Sequence, residues 1–207
     1  VVVEGQYVSK TGVFYGGHQL AVEHDMLCQF LTQECVDKEK FGVNLCEMAT
    51  ELTLIDVHTG LGQYGVDYLL LEAGAAELKP LLPTYDKQGR LMDMDGDGFY
   101  KQMYADSIGA VSSVKCGYRT LFKNVDAKHA LVLGEEFGTY RPMSVFKALR
   151  AENMAYHYSQ GHSLADEQVF YHRGIDVRNV FYPQHDPVWK HSVLQKGVHL
   201  FHTLLWR

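Results

Sequence analysis

The sequence has no C-x-x-C pair, no apolar run of membrane length and no excess of basic charge. Each absence removes a class of function. The four cysteines, Cys28, Cys35, Cys46 and Cys116, are scattered, which suggests neither a disulfide framework nor a thiolate zinc site. They read as buried thiols of a reducing compartment, and a cytoplasmic location is expected. Nothing approaches the roughly 20 apolar residues of a membrane span, so a soluble chain without a membrane partner is expected. Lys and Arg number 19 against 25 Asp and Glu, a formal charge of −6, which leaves no electrostatic footprint for nucleic acid. Also missing are a G-x-S-x-G elbow for a serine hydrolase and a G-x-x-x-x-G-K-[ST] phosphate loop. The opening VVVEGQYVSK has no initiator methionine and no signal-peptide pattern. Upstream residues are therefore expected to be missing. Self-association or a partner chain is expected to cover the N-terminal edge that their loss would expose.

What is present suits one compact core. The 207 residues are 46% apolar and 12% aromatic, without repeats or low-complexity tracts. Leu20, Leu27, Leu31 and Cys35 recur at helical spacing and predict a helix over about 19–39. ELTLIDVH, residues 51–58, has the content of a buried strand and is stopped by the glycine-rich TGLGQYG. VDYLLL reads as a strand or helix before the prolines at 80 and 83, and the polar stretch from Thr84 to Asp106 reads as an excursion from the core. HALVLGEEFGTY is a second strand-to-glycine-turn unit. Pro142 suits the first turn of a helix whose face is marked by Val145, Leu149 and Tyr156. Asp186 and Pro187 signal a final helix with Trp189, Val193 and Phe201 facing a sheet. Strands alternating with helices predict an α/β fold, a mixed sheet flanked by helices.

Two strand ends carry chemistry. In α/β sheets ligands gather outside the carboxyl ends of strands, so His58, last in its apolar run, stands where a crevice would be. Asp56, two residues earlier, shares its face by the strand period. Glu135 and Glu136 close the second strand. Burying both would be costly, so one is expected to face solvent and the other to serve as a general base. DMDGDG, residues 93–98, matches the start of a calcium loop with Asp93, Asp95 and Asp97, but Tyr104 occupies the position of the bidentate glutamate, and a solvated acidic loop is expected instead.

Taken together, GQYVSKTGVFYGG (5–17), LIDVHTGLGQYG (54–65), EEFGTY (135–140), LRAEN (149–153) and FYP with a following tryptophan (181–189) resemble the C-terminal part of a little-characterised branch of the zinc carboxypeptidase-like superfamily, to which succinylglutamate desuccinylase and aspartoacylase also belong. The resemblance implies a phosphorylase/hydrolase-like fold, with residues 1–207 forming the C-terminal portion of one metallopeptidase-like catalytic domain. It implies zinc bound by the histidine and glutamate of an H-x-x-E motif and by a later histidine corresponding to His58. It also implies that Glu136 is the general base, with a peptide or N-acyl amino acid as substrate. Arg119 and Arg141 are candidate substrate-binding residues only through their closeness in sequence to the relevant loops. None of the 11 histidines has a glutamate three residues later, so two of the three zinc ligands are not in this sequence. Two functions are consistent with these residues. One is a zinc-dependent amide hydrolase, inactive as this chain alone, and the other is a non-catalytic relative serving as a binding or assembly module.

Overall fold

The computed structural model describes residues 6–18, 22–23, 26, 51–71, 80–93, 129–159 and 163–205. The helix expected over about 19–39 and all four cysteines lie outside these residues, apart from Val22, Glu23 and Met26. The chain divides into two compact units. One comprises Val1–Lys10, Phe14–Leu54 and Asp97–Val132, and the other comprises Thr11–Val13, Ile55–Gly96 and Leu133–Arg207. In the first unit Gln6 organises a tight turn. Its backbone N–H donates to Phe14 O at 2.7 Å, and its side-chain Oε1 accepts from the N–H groups of Val8 and Ser9.

Four strands form an open mixed sheet: β1 (Glu51–Thr59), β2 (Asp67–Leu71), β3 (Leu91–Asp93) and β4 (His129–Phe137), in the order β1-β4-β2-β3. β2 runs parallel to β3 and antiparallel to β4. The described helices are α1 (Pro83–Lys87), α2 (Pro142–Ser159), α3 (Leu164–Phe181) and α4 (Pro187–Leu205). The expected α/β class with helices around a mixed sheet is what the chain adopts.

Alternation along β2 decides which face is core. Asp67, Leu69 and Leu71 are buried, while Tyr68 and Leu70 are partly open. The β2–β4 register sets Leu71 opposite Leu133, Leu69 opposite Glu135 and Asp67 opposite Phe137, so these six side chains share one face. α4 carries the complementary stripe of Trp189, Leu200 and Leu204, all buried. Each such apolar side chain contributes about 1.5–3 kcal/mol by leaving water. Asp186 starts this helix as expected. Its Oδ1 accepts from the N–H groups of Val188 and Trp189 at 2.8 and 3.2 Å, next to Pro187 in the first turn.

Three expectations fail here. The stretch from Thr84 is no excursion, because residues up to Asp93 form α1 and β3 and bury Tyr85 and Met92 beside Leu82. Phe201 is 54% exposed because a helix turns about 100° per residue, and Leu200 takes the inward position next to it. Tyr156 is also exposed, with its ring against Phe170 at 5.5 Å between centroids. Of DMDGDG, only Asp93 is described. It belongs to β3, paired with Leu71.

Candidate active site

β1 and β4 are neighbours in the sheet and deliver their carboxyl ends to one edge, where Gly60 N–H donates to Phe137 O at 3.1 Å. The two glycine-containing turns that follow are locked together. Gly65 N–H donates to Gly138 O, Gly138 N–H donates to Val66 O, and the Thr139 hydroxyl donates to Gly60 O at 3.2 Å. Glycine is required at two points of this lock. Gly60 holds φ 135°, which L side chains rarely adopt, and a Cβ there would also lie 2.8 Å from the Phe181 ring. A Cβ on Gly138 would lie 2.0 Å from the carbonyl oxygen of Gln63, backbone against backbone. The Trp189 indole N–H donates to Gly138 O at 2.9 Å, fixing α4 to the same turn.

His58 and Glu136 stand at this edge. The same-face placement of Asp56 is realised as a contact, with Asp56 Oδ2 2.8 Å from His58 Nε2 and both groups partly open to solvent. That hydrogen bond is the main cause of a raised imidazole pKa. Burial opposes it, and the charges of Asp56 and Glu136 add to it. Glu136 therefore lies within the electrostatic neighbourhood of the imidazole. Glu136 is buried, 6% exposed as a residue, and its Oε1 accepts the backbone N–H of Leu61 at 3.0 Å. Leu61 is three residues beyond His58, so one turn carries the histidine and grips the acid.

The pair of adjacent carboxylates departs from expectation. Neither faces solvent. Strand alternation sends them to opposite faces, Glu136 opposite Tyr68 and Glu135 opposite Leu69, and Glu135 is only 2% exposed. Among the described residues Glu135 Oε1 has no hydrogen-bond partner. Burial and the charge of Asp67, partly offset by Lys196, push its pKa up to about 7. Proton uptake is how a buried carboxylate avoids the cost of an uncompensated charge.

Around Asp67 lies a polar cluster that sequence reasoning missed. Asp67 is fully buried. Its Oδ2 accepts the Tyr85 hydroxyl at 2.6 Å, its Oδ1 pairs with Arg90 Nη1, and Lys196 Nζ lies 3.5 Å from Oδ1. Lys196 also donates to Gly65 O. The guanidinium of Arg90 lies 4.4 Å from the centre of the Tyr85 ring, and its Nε donates to Gln88 Oε1 at 2.8 Å. The signal was available, since an acid alternating with Leu69 and Leu71 must share their buried face and needs partners there.

Arg141 is exposed at the entry to α2, where its carbonyl accepts from the N–H groups of Ser144 and Val145. Arg119 lies outside the described residues. Among the described residues no group of three His, Cys, Asp or Glu side chains stands together to hold a metal ion. The donor chemistry of the rim nevertheless suits a single zinc ligand. Asp56 engages Nε2 of His58, which leaves Nδ1 for a metal, the usual arrangement of a carboxylate behind a ligating imidazole. No helix among the described residues is long and apolar enough to cross a membrane.

A family model described as "Protein of unknown function (DUF2817)" matches residues 1–196, and the chain belongs to that family, which is zinc-carboxypeptidase-like. No curated protein and no solved structure matches the chain.

Proposed function

We propose that this protein is a zinc-dependent hydrolase of amide bonds, either carboxypeptidase-like or a deacylase of N-acyl amino acids, in an uncharacterised metallopeptidase branch related to succinylglutamate desuccinylase and aspartoacylase. The observation that carries the reading is the convergence of His58 and the buried Glu136 on two interlocked turns at one sheet edge. A zinc ion held there, with His58 as one ligand, would supply Lewis acidity to a bound water and to the scissile carbonyl. His58 supplies one ligand, oriented by Asp56. Glu136 is the proton carrier. It accepts the proton of the attacking water and returns it to the leaving amine, and the Leu61 N–H keeps the carboxylate aimed throughout. Its burial keeps bulk water away from the side chain.

Because the family's other two ligands are absent from this sequence, the experiment uses the longest protein the gene encodes. Zinc content and release of free amine from N-acyl amino acids and blocked dipeptides are compared in the wild type, His58→Ala and Glu136→Gln. Loss of zinc in the first variant and loss of turnover with zinc retained in the second are expected. Zinc retention in His58→Ala overturns the ligand assignment.

A further inference from the structure

The outer face of α4 is apolar. Leu194, Val198, Phe201 and Leu205 run along it in one stripe, each between 47% and 68% exposed, while Trp189, Leu200 and Leu204 fill the inner face. We propose that this stripe is the contact face of a homodimer, in which α4 packs antiparallel against α4 of a second copy of the chain. The proposal does not depend on the hydrolase reading.

Three observations carry it. First, the spacing of the stripe is its own mirror image. The steps from Leu194 to Val198, Phe201 and Leu205 are four, three and four residues, and at about 100° per residue all four side chains fall within an arc of roughly 60°. Turned end for end, the pattern is unchanged. An antiparallel pair therefore sets Leu194 against Leu205 of the second copy and Val198 against Phe201, the self-complementary patch that a two-fold dimer requires. Second, the charges permit it. From Leu194 to Leu205 there is no aspartate, glutamate or arginine, and the one lysine, Lys196, turns inward to Gly65 O and Asp67. Two copies meet without like-charge repulsion, whereas a strongly charged partner finds no fixed counter-charge on this face. Third, the area sets the strength. With 19 residues α4 presents a face about 28 Å long and 10–12 Å wide, roughly 300 Å² per copy in projection. That matches the apolar patches that are often functional on soluble proteins and falls below the about 800 Å² per partner of a stable interface, so the dimer is reversible. The inner face of the same helix holds both turns of the candidate site, through Trp189 on Gly138 O and Ser192 on Gly65 O at 2.8 Å. Pairing braces the helix on which those turns are hung.

The test is sedimentation equilibrium of the longest gene product at roughly 5 to 500 µM, where a monomer–dimer equilibrium with a Kd on the order of 10–100 µM is expected. Phe201→Glu puts a carboxylate into the middle of the face in both copies and is expected to weaken the dimer at least about tenfold. Tyr171→Ser, at an equally exposed aromatic on α3, is expected to leave it unchanged. Should Phe201→Glu fail to fold, Leu194→Lys carries the same expectation at the most exposed position of the stripe. The end-for-end arrangement has its own check. Combining Leu194→Lys with Leu205→Glu brings opposite charges together only in an antiparallel pair, so the double variant is expected to dimerise roughly threefold more tightly than either single one. A wild type that stays monomeric throughout, because another segment or another protein covers the face, overturns the proposal. So does self-association that Phe201→Glu or Leu194→Lys leaves intact, or a double variant no tighter than its parents.

Discussion

The backbone N–H of Leu61 donates to Glu136 Oε1 at 3.0 Å across a sequence separation of 75 residues. That bond joins the turn after β1 to the end of β4. A histidine and an acid from distant parts of the chain thereby share one rim, whose geometry depends on how closely the two turns approach.

That closeness can be tested at Gly138. Replacing it with alanine drives a methyl group against the Gln63 carbonyl, and neither partner is a flexible side-chain end. Gly138→Ala should cost at least about 3 kcal/mol, the upper part of the overpacking range, in urea unfolding. Gly174 lies inside α3 with open space where a Cβ would sit, so Gly174→Ala should instead stabilise by about 0.5–1 kcal/mol. A Gly138→Ala protein as stable as the wild type would disprove the interlock.

The buried cluster gives a mutational contrast. Asp67→Asn leaves Arg90 and Lys196 without their shared anion in a buried setting and should destabilise by about 3–5 kcal/mol. Removing Arg90 as well should cost less than the sum of the two single changes. Strict additivity in the double-mutant cycle would mean that the pair contributes nothing specific.

Glu135 sets a pH dependence of stability. Its pKa is raised from the ordinary 4.5 to about 7 in the folded chain, so the folded state binds more protons between those values. Its contribution is therefore fully present below about pH 4.5 and is lost as pH rises through about 7, on the order of 3 kcal/mol in all. Glu135→Gln cannot ionise and should flatten that decline, melting higher than the wild type at pH 8. An unchanged pH profile would place the titration on another group.

Much of this was readable in the residues. The strand character of ELTLIDVH and HALVLGEEF, the helix starts at Pro142 and Asp186-Pro187, and the same-face relation of Asp56 to His58 follow from local pattern and strand period. Other features needed the tertiary structure. Tyr85 is a single apolar residue among polar ones and Met92 sits in the three-residue strand Leu91–Asp93, so no periodicity announced that α1 and β3 belong to the core. Among the described side chains of α3 none is buried, and its local signal was the start at Ser163, whose hydroxyl and N–H both donate to Asp166 Oδ2. The burial of both Glu135 and Glu136 depends on α4 covering one face of the sheet and the Leu61 turn closing over the other. Composition carries no trace of either.

Asp56 should matter for zinc without touching it. On the proposed zinc reading, its hold on Nε2 of His58 would fix which ring nitrogen faces the metal, so Asp56→Asn in the longest gene product should weaken zinc affinity about 10- to 100-fold. Competition with a chromophoric chelator measures this directly. Unaltered affinity would remove Asp56 from the site.

The most direct measurement is the turnover of Glu136→Gln in the longest gene product, with zinc quantified in the same preparation. The amide keeps the shape of the side chain and can still accept the Leu61 N–H, but it cannot take up a proton. Zinc content equal to the wild type, with amide hydrolysis slowed on the order of 10²–10⁴-fold, is the predicted result. Near-normal hydrolysis in that variant would contradict the account and move the general base elsewhere.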